Sequence, residues 1–195
     1  MEREIRKNKE IINNQGALII IRGIPGSGKS FLAQKLKEVL GEKAIKMDPD
    51  EYRGYKKRQT DIFKTYHQSV DLIGKLQNKA LQAIKSGKII IWEQAWVGLK
   101  DVLAELNVIE KLIFPAPYIL VELSINKKLA WSRIKERESF GLQIGPDIIK
   151  FKEYLKLFRS VRDMTLNDRI LILRGNDSAG KNISQIVNKL GFLKK

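Results

Sequence analysis

The sequence predicts a three-layer α/β fold in one domain: a five-stranded, mainly parallel sheet with helices on both faces. Three observations predict it. Five short runs rich in Ile, Leu or Val lie at 17–22, 44–47, 88–92, 118–123 and 169–173, as expected of strands buried on both faces. Between them, segments with helical patterning occupy 29–40, 61–86, 99–113, 126–139, 146–165 and 182–189. Strands alternating with helices give parallel strands joined by crossover connections. At 195 residues and 43% hydrophobic content, the chain can build one full core but not two.

Taken in order, residues 1–16 form a charged N-terminal arm ahead of the first strand. Leu18-Ile19-Ile20-Ile21 then runs into Gly23-Ile24-Pro25-Gly26-Ser27-Gly28-Lys29-Ser30, which spells G-x-x-x-x-G-K-S between a strand and a helix. Gly23, Gly26 and Gly28 permit turn conformations that aim successive N–H groups, Ser27 among them, at a polyphosphate. Pro25 stiffens the loop. Lys29 supplies a cation for the outer phosphates, and the Ser30 hydroxyl suits Mg²⁺. The helix beginning there adds the positive end of its dipole. Phe31, Leu32, Leu36, Val39 and Leu40 give it an apolar face, and Gly41 stops it. This arrangement binds a nucleoside triphosphate, taken as ATP.

Asp48-Pro49-Asp50-Glu51-Tyr52-Arg53 follows the second predicted strand. Asp48 and Glu51 have the spacing of a capping box with Pro49 at the first helical position. Asp50 is left free to face the terminal phosphate and deprotonate an acceptor hydroxyl. The third strand ends Ile89-Ile90-Ile91-Trp92-Glu93-Gln94, apolar residues followed by an acid. Glu93 is placed to reach Mg²⁺, or else is a solvated strand end. Gln94 is placed to bond the acceptor. Trp92 and Trp96 either stack on a ring or fill the core.

Arg133 and Arg137 lie one turn apart on one face of a predicted helix. They either stabilise charge on the transferring phosphoryl group or pair with Glu136 and Glu138 as a solvated face. Arg159 and Arg162 are lesser candidates on the next helix. Gly175 to Asn182 imitates a second phosphate loop but lacks the closing Ser or Thr. Its place after the last strand suits the adenine side of the nucleotide, with Arg174 or Asn176 beside the base. Asp71-Leu72-Ile73-Gly74 mimics a GTPase element inside a helical pattern, and no Asn-Lys-x-Asp guanine signature occurs.

The phosphate loop followed by Asp50-Glu51-Tyr52-Arg53 resembles the P-loop kinases that include polynucleotide 5′-hydroxyl kinases and zeta toxins. The resemblance implies a P-loop kinase fold from about residue 17 to 190, with a small helical lid near 127–160. It implies that Asp50 is the general base, that Arg53 contacts the acceptor, and that the lid arginines lie near Arg133 and Arg137. Members more often carry Asp at the place of Glu93. A toxin role would bring a neutralising, antitoxin-like protein partner.

Composition narrows the partners. A formal charge of +15 favours polyanions, nucleic acid among them, although the lysines are scattered rather than blocked. Cysteine is absent and His67 is the only histidine, which excludes disulfides and thiolate or imidazole metal clusters. No run has the length of a membrane span and the N-terminus lacks a signal-peptide pattern, so a cytoplasmic protein is expected. The leading expectation is a kinase that moves the γ-phosphate of Mg·ATP to a hydroxyl of a small-molecule or nucleotide-type acceptor. A polynucleotide 5′-end is the alternative acceptor. A regulatory or RNA-binding module with slow ATPase activity is the alternative of another class.

Overall fold

A computed structural model describes residues 16–49, 62–93, 98–113, 116–141, 146–162, 164 and 167–193. Its strands are β1 (Ala17–Arg22), β2 (Ala44–Met47), β3 (Ile89–Glu93), β4 (Tyr118–Ser124) and β5 (Ile170–Arg174). Its helices are α1 (Lys29–Leu40), α2 (Ile62–Lys85), α3 (Leu99–Ile113), α4 (Lys127–Ser139), α5 (Ile148–Leu157) and α6 (Ala179–Leu193). The five strands form one sheet in the order β2-β3-β1-β4-β5. All four neighbouring pairs are parallel, so the expected mainly parallel sheet is wholly parallel among the described strands.

Every residue of β1 is buried, because this strand lies at the centre. Ile19 pairs in register with Ile91 on one side and Ile119 on the other. Side chains of one parity, including Ile19 and Ile21, pack with Leu32, Ala33 and Leu36 of α1 and Ile183, Ile186 and Leu190 of α6. Those of the other parity, including Leu18 and Ile20, pack with Leu76 and Ala80 of α2 and Val102 and Leu106 of α3. This two-sided cover explains the unbroken apolar runs. The strand order reverses around β1, so the loop that leaves it opens at the crevice where such sheets bind ligands.

A third, smaller core joins α4 and α5 through Ala130, Ile134 and Phe151, with Ile24 of the phosphate loop as its fourth buried member. Leu155 and Phe158 pack at its margin, and Trp131 meets Phe151 with ring centroids 5.2 Å apart.

Two helices depart from the sequence pattern at their ends. The last helix extends over Ala179–Leu193, beyond the expected 182–189. The helix expected over 146–165 ends at Leu157 instead. Phe158 turns extended (φ −64, ψ 122), although neither proline nor glycine interrupts the pattern. The stop comes from tertiary bonds to the following residues, described below. Arg159 and Arg162 are therefore not helical, and Arg159 Nη1 donates back to the Lys156 carbonyl at the end of α5.

Candidate active site

The loop from Gly23 to Ser30 is shaped by its glycines. Gly26 (φ 81) and Gly28 (φ 96) occupy left-handed conformations. A Cβ on Gly26 would also sit 2.2 Å from the Ala130 carbonyl oxygen, so the loop can touch α4 only with glycine there. Pro25 stands between Gly26 and the buried Ile24. Ser27 N donates to Ile24 O at 3.1 Å, and the Ser27 side chain is buried. Gly28 caps α1 with no side-chain bond, leaving the helix start without a competing acceptor from its own cap. Lys29 Nζ donates to the carbonyls of Gly23 (2.9 Å) and Ile24 (3.3 Å), folded over the loop it is expected to serve.

An acidic cluster lies beside this loop at the ends of β2 and β3. Glu93 is the last residue of β3 and only 4% exposed. A solvated strand end would be exposed, so that alternative does not describe Glu93. The Ser30 side chain stands close enough to favour its charged form, and Asp48, 9% exposed, adds a second negative charge. Lys46 Nζ stands 3.4 Å from Glu93 Oε1. Burial is the largest influence on Glu93 and pushes its pKa above the ordinary carboxylate value; Asp48 pushes the same way, while Ser30 and Lys46 oppose. A hydroxyl with two carboxylates is an oxygen set of the kind a hard divalent cation takes.

On the opposite rim, Arg133 Nη1 donates to Gly175 O at 3.0 Å and lies 3.8 Å from where a Cβ on Gly28 would be. Arg137 Nε reaches the Arg133 carbonyl at 3.4 Å. Glu138 pairs with Lys135 at 2.8 Å, and Arg133 faces the loop, so the reading of a solvated charged face does not describe Arg133. Arg174 ends β5 with an exposed side chain, and its carbonyl accepts from Asp177 N and from Asn182 Nδ2. The adjoining Gly175 abuts the phosphate loop: a Cβ there would lie 2.6 Å from Ser27 O. The imitation loop is no second cradle. Its Gly180 and Lys181 lie within α6, and Lys181 pairs with Asp177 at 2.9 Å.

The structure thus brings together Gly23–Ser30, Glu93, Arg133 and the loop after Arg174, with Arg137 one turn behind. Asp50, Arg53, Gln94, Trp96 and most of the N-terminal arm lie outside the described residues. Trp92 is core, 7% exposed and packed in the cluster with α2 and α3, as the core-filling alternative has it. Sequence reasoning missed Lys46 and saw Asp48 only as a helix cap. It also missed a buried pair at the root of the loop, Arg22 with Glu122. The available signal was one charge within each of two otherwise apolar runs, Leu18 to Arg22 and Tyr118 to Leu123.

Sheet order, glycine cradle and strand-end acid define the molecule as a P-loop kinase, an enzyme of nucleotide-dependent phosphotransfer. The chain belongs to the zeta toxin family, whose model matches residues 2–165. Solved structures share the fold at low identity. A candidate kinase from Chloroflexus aurantiacus superimposes with a TM-score of 0.68 at 18% identity, covering 91% of this chain and 97% of that one. A gluconokinase from Sinorhizobium meliloti gives 0.61 at 12%, covering 92% and 94%. A deoxyadenosine kinase from M. mycoides gives 0.57 at 22%, covering 90% and 99%. No curated protein sequence matches significantly. Among the described residues, no helix is long and apolar enough to cross a membrane.

Proposed function

We propose that this protein transfers the γ-phosphate of ATP to a hydroxyl group of a small-molecule or nucleotide-type acceptor, with Asp50 as general base. The observation that carries the reading is the buried Glu93 carboxylate at the end of β3, beside Ser30 of the glycine cradle. In this reading, the backbone from Gly23 to Lys29 binds the phosphates. Lys29 leaves the loop carbonyls for the outer phosphates. Arg133, with Arg137 behind it, neutralises charge on the group in flight. Arg174 lies on the adenine side. Ser30 and Glu93 would hold Mg²⁺, with Asp48 as a further carboxylate. When bound there, Mg²⁺ would supply charge neutralisation for the phosphates held by the loop.

In the sequence, Asp50 follows the buried Asp48 by two residues, after the end of β2. In this reading it accepts the acceptor's proton as the oxygen attacks phosphorus. Arg53 and Gln94 contact the acceptor. Asp50→Asn is expected to lower phosphoryl transfer by about 10²- to 10⁴-fold while leaving affinity for an ATP analogue unchanged. Unchanged transfer would remove Asp50 from this role and favour a regulatory or RNA-binding module with slow ATPase activity.

A polynucleotide 5′-hydroxyl is the second acceptor reading, favoured by one observation. Residues 127–162, which include the proposed lid at about 127–160, carry ten Lys and Arg against four Asp and Glu. Labelled ATP offered to oligonucleotides and to a metabolite panel separates the two acceptors. Transfer to oligonucleotides that collapses with added salt supports the polynucleotide. A neutralising protein partner is proposed from family membership alone.

A further inference from the structure

Arg22 ends β1 immediately before Gly23 and is fully buried in an otherwise apolar strand. Its register partner on β4 is Glu122, 2% exposed, and Arg22 Nη1 meets Glu122 Oε2 at 3.0 Å. Both side chains also reach the chain that returns from α5. Arg22 Nη2 donates to Arg159 O at 2.9 Å, and the guanidinium carbon lies 4.5 Å from the centroid of the Phe158 ring. Glu122 Oε1 accepts from Ser160 Oγ at 2.6 Å, and Oε2 from Val161 N at 3.0 Å. Four consecutive residues, 158–161, are thus held by one buried ion pair, and this capture ends α5.

Stability alone does not account for the pair. Two charges in a sheet of Ile, Leu and Val pay a desolvation cost that well-packed apolar residues avoid. What apolar side chains cannot do is bond the Arg159 carbonyl and the Val161 amide. The location adds a second argument. Ile24, on the other side of Gly23, is buried in the small core of α4 and α5, where Phe158 also packs. The root and the second residue of the phosphate loop are therefore both attached to the α4–α5 helix pair, whose Arg133 faces the loop.

We propose that Arg22 and Glu122 are positioning residues for nucleotide binding. By holding residues 158–161 they keep α4 and α5 where Arg133 meets the loop, so that loop and helix pair take up the triphosphate as one unit. This rests on Gly23–Ser30 being the ATP site, and not on the acceptor or on Asp50.

The test uses the full chain, with Glu122→Gln, Phe158→Ala and the double variant Arg22→Met/Glu122→Met. Three quantities are measured: affinity for a non-hydrolysable ATP analogue with Mg²⁺, segment-resolved amide hydrogen exchange, and thermal midpoint. Glu122→Gln and Phe158→Ala are expected to weaken analogue binding roughly fivefold or more, within the usual range for coupled sites. They should speed exchange over 127–162 and leave α2 and α3 unchanged. The double apolar variant should regain the thermal midpoint while keeping the weak binding and fast local exchange. Wild-type affinity in both single variants, or recovery of affinity together with exchange in the double variant, overturns the proposal. Should Glu122→Gln fail to fold, Phe158→Ala and the double variant decide. If the wild type itself does not bind the analogue, the ATP reading fails. Exchange then judges the pair alone: loosening confined to 127–162 supports it, and loosening throughout the molecule overturns it.

Discussion

Glu93 shows how one residue's chemistry is set by where a strand stops. The apolar run made its acid position legible, because an acid after Ile89–Trp92 must emerge at the strand's C-terminal edge. Its neighbours were not legible. Lys46 lies in β2 and Asp48 directly after it, and only the pairing of β2 with β3 brings them beside it. In the metal-free protein, burial raises the Glu93 pKa above 4.5, so folding favours the protonated form. The stability tied to that proton is fully present below the unfolded-chain pKa and is lost as pH rises through the raised one. Glu93→Gln cannot lose it. The thermal midpoint of the wild type, measured against Glu93→Gln without metal, should therefore fall as pH climbs from about 4 towards neutrality. A difference that stays flat with pH would contradict the shift.

At the scale of elements, local signals set where helices begin better than where they end. Asn126 caps α4 by accepting from Lys128 N, and Asp147 caps α5 by accepting from Lys150 N at 2.9 Å. Asp147→Ala should cost about 1 kcal/mol of local stability. It should appear as faster hydrogen exchange in the first turn of α5, with little change in the global unfolding midpoint. The end of α5 had no such local mark. Helical spacing continues past Leu157, and the chain leaves the helix because residues 158–161 are bonded to Arg22 and Glu122. A similar lesson comes from Gly175–Asn182, which reads as a phosphate loop in one dimension and folds as a turn entering α6.

For the whole molecule, the sheet is what holds the site together. The phosphate loop, the Glu93 cluster and the loop after Arg174 leave the same edge of three strands, and the central β1 sets their spacing. Ile19 is fully buried between Ile91 and Ile119. Ile19→Ala should destabilise the fold by about 2–5 kcal/mol through lost burial and a cavity. Denaturant unfolding should show a lower midpoint at unchanged slope. A loss below 1 kcal/mol would mean that the centre of the sheet collapses around the gap.

Patterning along the chain was enough for the five strands, the helices between them, the glycine cradle and the strand-end acid. Each depends on residues close in sequence, whose spacing dictates backbone geometry and burial. Long-range pairing alone decided the strand order, the partners of Glu93 and the meeting of Arg22 with Glu122 across 100 residues. Those contacts exist only once the sheet has set parallel strands side by side, because two charges distant in sequence have no preferred separation in an open chain.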